Sequence, residues 1–360
     1  MKFELKRRIH MKVIMKRSAF VLAILLLCAL SVLAGNKNRI ATAGAQELLI
    51  PVGARGIAMA GSTLASISGV EAIYYNPAGM ARAMRDVDAS FSTMNYIADI
   101  NVSYAAIAVK AGSLGSIGLS LKSLGFGDIP VTTEFFPDGT GEVYSPSFVN
   151  VGLTYSNLVS DRVSVGATAT VVSEKIMSSS ATGLAFNVGI QYVGLGLPGL
   201  SLGVAIKNVG TQMKFEGSNF LHQGTINDAR RNENPNWYTV NTTSFDLPTT
   251  IEIGLAYALK IDEKNVLTVA GDFQNNNFAD DEYKIGAEYM FEGLLFLRGG
   301  YALAPQADDD PTGESSYIFG YTFGGGVALD LGGIEARADY GYRYVKYFDG
   351  KSVFTLSLGF

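Results

Sequence analysis

Any chemistry in this chain must come from very few residues. The 360 residues include two His and one Cys. His222 lies in a long connection, and no Ser or Asp is spaced around it as a proton relay requires. One His and no Cys beyond the N-terminal leader cannot make a metal set. Asp308-Asp309-Asp310 could offer carboxylates to a hard cation, but three adjacent acids in a connection read more simply as a solvated loop. No phosphate loop or dinucleotide fingerprint is present. The sequence therefore predicts no enzyme, no metal and no cofactor.

Two other residue sets carry more information. Glu252, Lys284, Glu288, Arg298, Glu335, Arg337, Asp339 and Arg343 all fall on the small-residue parity of alternating segments. Their mixed signs favour a paired network over selectivity for one charge, with a substrate path as the alternative. The connection Gly210–Leu247 contains Phe215, Phe220, Trp237 and Tyr238. That much apolar surface suits a lid or capture site for a hydrophobic ligand, or a loop packed on itself.

The elements that position these residues begin after a leader. Lys2, Lys6, Arg7, Arg8, Lys12, Lys16 and Arg17 precede an apolar run, Ala19 to Leu33, and a small-residue exit at Val32-Leu33-Ala34. This reads as a secretory signal over residues 1–34, with Met1 or Met15 as the start. It takes seven of the 28 basic and one of the 33 acidic side chains, leaving a net charge of −11. A nucleic-acid partner does not fit that balance. Cys28 leaves with the leader.

Beyond Ala34 no apolar run approaches the roughly 20 residues of a membrane helix. Mean hydropathy is still +0.20, with 41 Gly, 18 Tyr and 20 Phe. From about residue 86 the chain alternates with period two, the strand signature. Phe354, Leu356, Leu358 and Phe360 share one face. Tyr317, Phe319, Tyr321, Phe323, Val327 and Leu329 share another.

Fourteen such segments can be counted: Asp86–Met94, Ile100–Val109, Leu114–Leu124, Ser147–Ser156, Arg162–Lys175, Ala181–Tyr192, Leu200–Val209, Pro248–Leu259, Asn265–Gln274, Glu282–Met290, Leu294–Leu303, Tyr317–Asp330, Gly333–Val345 and Lys351–Phe360. They exceed the usual strand of about five or six residues. The three longest connections, Gly125–Pro146, Gly210–Leu247 and Ala304–Ser316, all follow odd-numbered strands and so share one side. Short turns on one side and long loops on the other mark a bacterial outer-membrane barrel. Aromatics near both strand ends would form its two interfacial girdles. The expectation is an all-β fold: an antiparallel transmembrane β-barrel of fourteen strands over residues 86–360. Phe360 ends the chain on the apolar face, as a signal to the barrel-insertion machinery would.

Residues 35–85 precede the barrel and are rich in Gly, Ala and Ser. Small residues and the Asn-Pro turn at Asn76-Pro77 suit a compact plug in the lumen. Leu48-Leu49-Ile50-Pro51-Val52-Gly53-Ala54-Arg55-Gly56, Met59-Ala60-Gly61 and Glu71-Ala72-Ile73-Tyr74-Tyr75-Asn76-Pro77-Ala78-Gly79 resemble the N-terminal hatch of the PorV/PorQ outer-membrane proteins. These are relatives of the FadL long-chain fatty-acid transporters. Ala60 stands where members commonly have a further Gly. The resemblance implies a hatch in which Arg55, Asn76, Pro77, Ala78 and Gly79 take part. It implies hatch-controlled transport or export across the outer membrane, with either a hydrophobic small molecule or secreted protein cargo of the type IX system as partner. It does not choose between them. A scaffold barrel whose long loops bind a partner is the alternative.

Overall fold

The structure is a computed structural model that describes residues 39–224, 236–309, 311 and 313–360. The expected signal segment and Asp310 lie outside the described residues. Fourteen strands form one closed antiparallel barrel: β1 Val87–Asn95, β2 Asn101–Lys110, β3 Ser116–Gly125, β4 Ser147–Leu158, β5 Val163–Ile176, β6 Ser179–Val193, β7 Leu200–Gly210, β8 Thr250–Lys260, β9 Asn265–Asn276, β10 Glu282–Phe291, β11 Leu295–Leu303, β12 Phe319–Asp330, β13 Glu335–Val345 and β14 Lys351–Gly359. Each strand pairs with its sequence neighbours, and β1 closes the ring on β14 from Asp88↔Gly359 to Met94↔Val353. The Phe360 N–H donates to the Val87 carbonyl and extends that seam. Among the described residues no helix is long and apolar enough to cross a membrane.

Alternation sorts the side chains. Leu119, Leu121, Leu153, Phe186, Ile190, Ile285, Leu297, Phe323 and Leu356 point outward and are exposed around the wall. Such a continuous apolar belt is incompatible with water and matches the lipid-facing surface of an outer-membrane barrel. The three longest connections all lie at one end. One contains the ladder Ile129–Pro130 with Val143–Tyr144, and another the hairpin Leu221–Gly224 with Asn236–Thr239.

Two bulges break the alternation at the same level of the lumen. In β7, Val188↔Ile206 is followed by Phe186↔Val209, so Lys207 and Asn208 both oppose Asn187. Asn208 takes φ +60 there, a left-handed conformation that Asn tolerates. Its N–H donates to Asn187 Oδ1 at 2.8 Å. In β12, Phe319↔Val345 is followed by Thr322↔Arg343, so Gly320 and Tyr321 oppose Tyr344. This corrects the expectation that Phe319 shares the outer face of Tyr321 and Phe323. The extra residue turns Phe319 inward, where the Arg343 guanidinium lies 3.4 Å from its ring centroid. Tyr317 follows it inward, and its hydroxyl is buried near Glu282 and Arg343.

The chain from Arg39 to Asp86 occupies the lumen. It begins at the long-loop end, where the Ala41 N–H donates to Phe278 O and the Gly44 N–H to Asp246 O. Two short helices follow, α1 Ala54–Ala58 and α2 Ala72–Tyr75, and the segment leaves at the short-turn end beside Asp161 and Asp330. Glycines on the inner wall let this backbone come close. A Cβ on Gly203 would sit 2.4 Å from the Leu64 carbonyl oxygen, and one on Gly166 would sit 2.4 Å from the Pro77 carbonyl carbon. The Gly-rich inner parity of the strands is therefore packing space for the segment, not an empty channel.

Gly203→Ala should lower stability by about 1–3 kcal/mol, because it drives a methyl group into fixed backbone. Gly271→Ala, whose Cβ would meet its nearest neighbour at 3.7 Å, should cost much less. The urea unfolding midpoints of the two refolded barrels test the difference.

Candidate functional site

The lumenal segment is irregular backbone, so its polar groups need partners from the wall. Thr355 Oγ1 accepts from the Ala54 N–H at 2.8 Å, and Asp272 Oδ2 accepts from the Leu64 N–H at 3.0 Å. Thr322 donates to Ala58 O at 2.8 Å. The Gln191 amide donates to both Leu64 O and Ile67 O. Asn76 bridges segment and wall: its amide donates to Leu64 O at 3.0 Å and Ile190 O at 3.2 Å, while its Oδ1 accepts from the Ala78 N–H. Pro77 opens a short 3-10 helix, Pro77–Arg82, behind that cap, and Ser156 Oγ donates to Ala78 O. Gly79 lies so close to Ile67 that a Cβ would be 2.3 Å from its carbonyl oxygen.

The charges named from sequence separate into three places. Away from the cavity, Arg55 of the segment pairs with Glu288 at 2.9 Å and with Glu71 at 3.7 Å. Arg298 joins Glu288 at 2.6 Å to Asp339 at 2.7 Å, and Arg337 also reaches Asp339 at 2.7 Å. Glu335 stands at the short-turn rim, 3.5 Å from Arg85. Glu252, Lys284 and Arg343 instead line a cavity near the long-loop end.

That cavity has a volume of about 850 Å³ and lies between residues 42–51 and the wall. Aromatic and aliphatic groups form most of it: Tyr74 on the floor, Tyr96, Phe126 and Phe148 to one side, Phe215 and Phe245 under the loop, Phe319 opposite. Phe215 and Phe245 pack with ring centroids 5.8 Å apart. The other loop aromatics do not join them. Phe220 is half-buried away from the cavity, and Trp237 and Tyr238 project from the outer hairpin. His222 pairs with Tyr238 on that exposed hairpin.

Several cavity residues were not singled out from sequence. Lys122 on β3 donates to Glu47 O at 2.6 Å and also to Ile50 O, and its ammonium is 5.0 Å from the Tyr74 ring centroid. Lys207 lies 5.2 Å from the other side of that ring and pairs with Glu252 at 2.7 Å. The signal that could have found Lys122 was a lone charge at the parity of Gly118 and Ser120. The same signal marks Glu174 in line with Thr170 and Val172. Asn208 had no such signal, because the bulge that turns it inward is invisible in the alternation.

Glu47 is 3% exposed and lies against Glu174. Burial, and then that neighbouring carboxyl, push its pKa up to about 8. Burial likewise holds the phenols of Tyr74 and Tyr75 above their ordinary range. Paired with Glu288 and Glu71, Arg55 keeps its charge although it is largely buried.

No protein-family model matches the chain, and no curated protein sequence matches it. Solved structures share the architecture. The chain is similar to the CymD monoaromatic hydrocarbon channel, with 12% identity and a TM-score of 0.51 over 86% of this chain and 97% of that one. It is similar to the Pseudomonas putida toluene transporter TodX, with 12% identity and a TM-score of 0.52 over 84% of this chain and 96% of that one. At these identities the likeness establishes the fold.

Arg298→Leu should cost about 3–5 kcal/mol, since it strips a fully buried partner from Glu288 and Asp339. Denaturant unfolding measures it. Glu47 gives a pH dependence of known sign. The native state favours its neutral form, so its contribution is full below pH 4.5 and is lost as pH rises from there to about 8. Comparing unfolding midpoints between about pH 5 and pH 9, the Glu47→Gln barrel should lose less stability than the unmodified one. Parallel curves would remove Glu47 as the titrating group.

Proposed function

We propose that this protein is an outer-membrane channel for hydrophobic molecules, which it holds in the cavity above the N-terminal segment and passes on when that segment moves. The observation that carries the reading is the aromatic-lined cavity of about 850 Å³, open toward the loops and backed by a filled lumen. Its size falls within the usual range of small-molecule sites, and its mix of apolar walls with a few polar groups is the usual composition. The fold supports the same reading, being shared with a hydrocarbon channel and a toluene transporter. So does the resemblance of residues 48–80 to the hatch of the FadL relatives. On this reading residues 39–85 are a hatch, Arg55 and Asn76 anchor it, and residues 1–34 deliver the chain for export. Phe360, on the outer face at the β1–β14 seam, is the signal read by the insertion machinery.

A second reading, export of protein cargo in the manner of PorV, is favoured by exposed aromatics on the outer loops. Phe135 is 85% exposed and Trp237 68% exposed. It predicts a protein partner rather than a small ligand.

Extraction and mass spectrometry of the purified barrel should recover a small hydrophobic compound. In planar bilayers the whole protein should pass almost no ion current, and removal of residues 39–85 should raise conductance at least about tenfold, as a water-filled barrel of this size requires. A barrel that retains no small molecule and conducts equally with and without the segment would sink the channel reading. A co-purifying protein lost on Trp237→Ala would support the export reading instead.

A further inference from the structure

Resting on the proposed cavity as the ligand site, the geometry points to Asn150 as the residue that selects its ligand: an uncharged hydrophobic molecule bearing one group that both donates and accepts a hydrogen bond, a hydroxyl or an amide. Asn150 projects inward from the first third of β4, between Lys122 on β3 and Val172 on β5. It lines the cavity and is 5% exposed. Neither its Nδ2 nor its Oδ1 has a hydrogen-bond partner. A buried amide left with both ends free is uncommon, because its desolvation goes uncompensated. Carrying donors on one atom and an acceptor on the other, it can give a hydrogen bond to a hydroxyl oxygen and take one from the same hydroxyl. A hydrocarbon can do neither, and an ether only one.

The charged groups around it exclude an anionic headgroup. Each cation of the cavity is already occupied. Lys122 is held by the Glu47 and Ile50 carbonyls, Lys207 by Glu252 at 2.7 Å, and Lys284 by Glu282 at 2.9 Å. Arg343 is stacked over the Phe319 ring. A carboxylate would have to displace one of these partners inside a buried site, leaving another charge unpaired. The apolar body of the ligand meets Phe126, Phe148 and Tyr74.

Equilibrium dialysis of the purified full-length protein against naphthalene, naphthol, its methyl ether and the naphthoate anion, corrected for detergent partitioning, tests this. Naphthol should bind about tenfold tighter than naphthalene or the ether, the size of one net hydrogen bond, and naphthoate weakest. Asn150→Leu, nearly isosteric, should reduce the naphthol-to-naphthalene affinity ratio about tenfold. Without ligand the Asn150→Leu barrel should unfold at the same or a higher urea concentration than the unmodified one. A marked loss of stability would show that the amide already has a structural partner and would overturn the inference. Equal binding of naphthol and naphthalene, or tightest binding of naphthoate, would overturn it while leaving the channel reading in place. Failure of all four probes to bind would overturn both.

Discussion

The constraint on which this structure depends is that irregular backbone fills a barrel whose own hydrogen bonds are all used between strands. The N–H and C=O groups that the segment's own turns leave open therefore need side chains from the wall. Thr355, Asp272, Gln191, Ser156, Thr322 and Lys122 meet that need, and Asn76 meets it from within the segment. Inward polar residues on the strands are thus explained by the backbone they serve. The glycines complete the arrangement, since a hydrogen bond from a short Ser or Thr reaches only a backbone that has come close to the wall.

The salt-bridge network answers a second need of the same filled lumen. Arg55 is the guanidinium at the centre of this network, and it is seated between Glu288 and Glu71. Arg298 then balances Glu288 against Asp339, and Arg337 shares Asp339. Removing any member leaves a buried charge, so the set behaves as a unit. Its mixed signs and close pairing make it a structural support at the short-turn end. The cations that face free volume lie elsewhere, around the cavity.

Much of this was legible in the sequence. All fourteen strand boundaries fall within two residues of those read from alternation, because one lipid face and one packed face give a strict period of two. What alternation cannot show is where it is reset. The bulge at Gly320–Tyr321 sent Phe319 into the cavity, and the bulge at Lys207–Asn208 added a second polar group to it. Both cost one residue of register and leave the hydropathy pattern nearly unchanged. Nor could the sequence divide the lumenal charges between support and cavity. That division depends on where the segment ends, and Lys122, Glu174 and Lys207 were hidden as single charges on strands otherwise made of small residues. The loop aromatics read as one group, yet only Phe215 and Phe245 reach the cavity, because the hairpin carries Trp237 and Tyr238 outward.

The segment is held unequally along its length, and this sets how the fold can be used. From Val52 to Ala81 it is almost wholly buried; wall side chains bond it at Ala54, Arg55, Ala58, Leu64, Ile67, Ala78 and Ala81, and the Ile190 carbonyl bonds it at Asn76. From Arg39 to Gln46 most residues are exposed or half-buried. There the ties are Arg39, which pairs with Asp246, reaches Asn277 and stacks on Phe278, two backbone bonds to loops, and the packing of Ala45. Lys122 marks the border, gripping Glu47 and Ile50 from one side while Glu174 crowds Glu47 from another. The free energy of opening is therefore lowest at the end of the segment that roofs the cavity and highest at the end that closes the lumen. Displacing the loop-end turn of the segment breaks few of these contacts, whereas displacing Val52 to Ala81 breaks most of them.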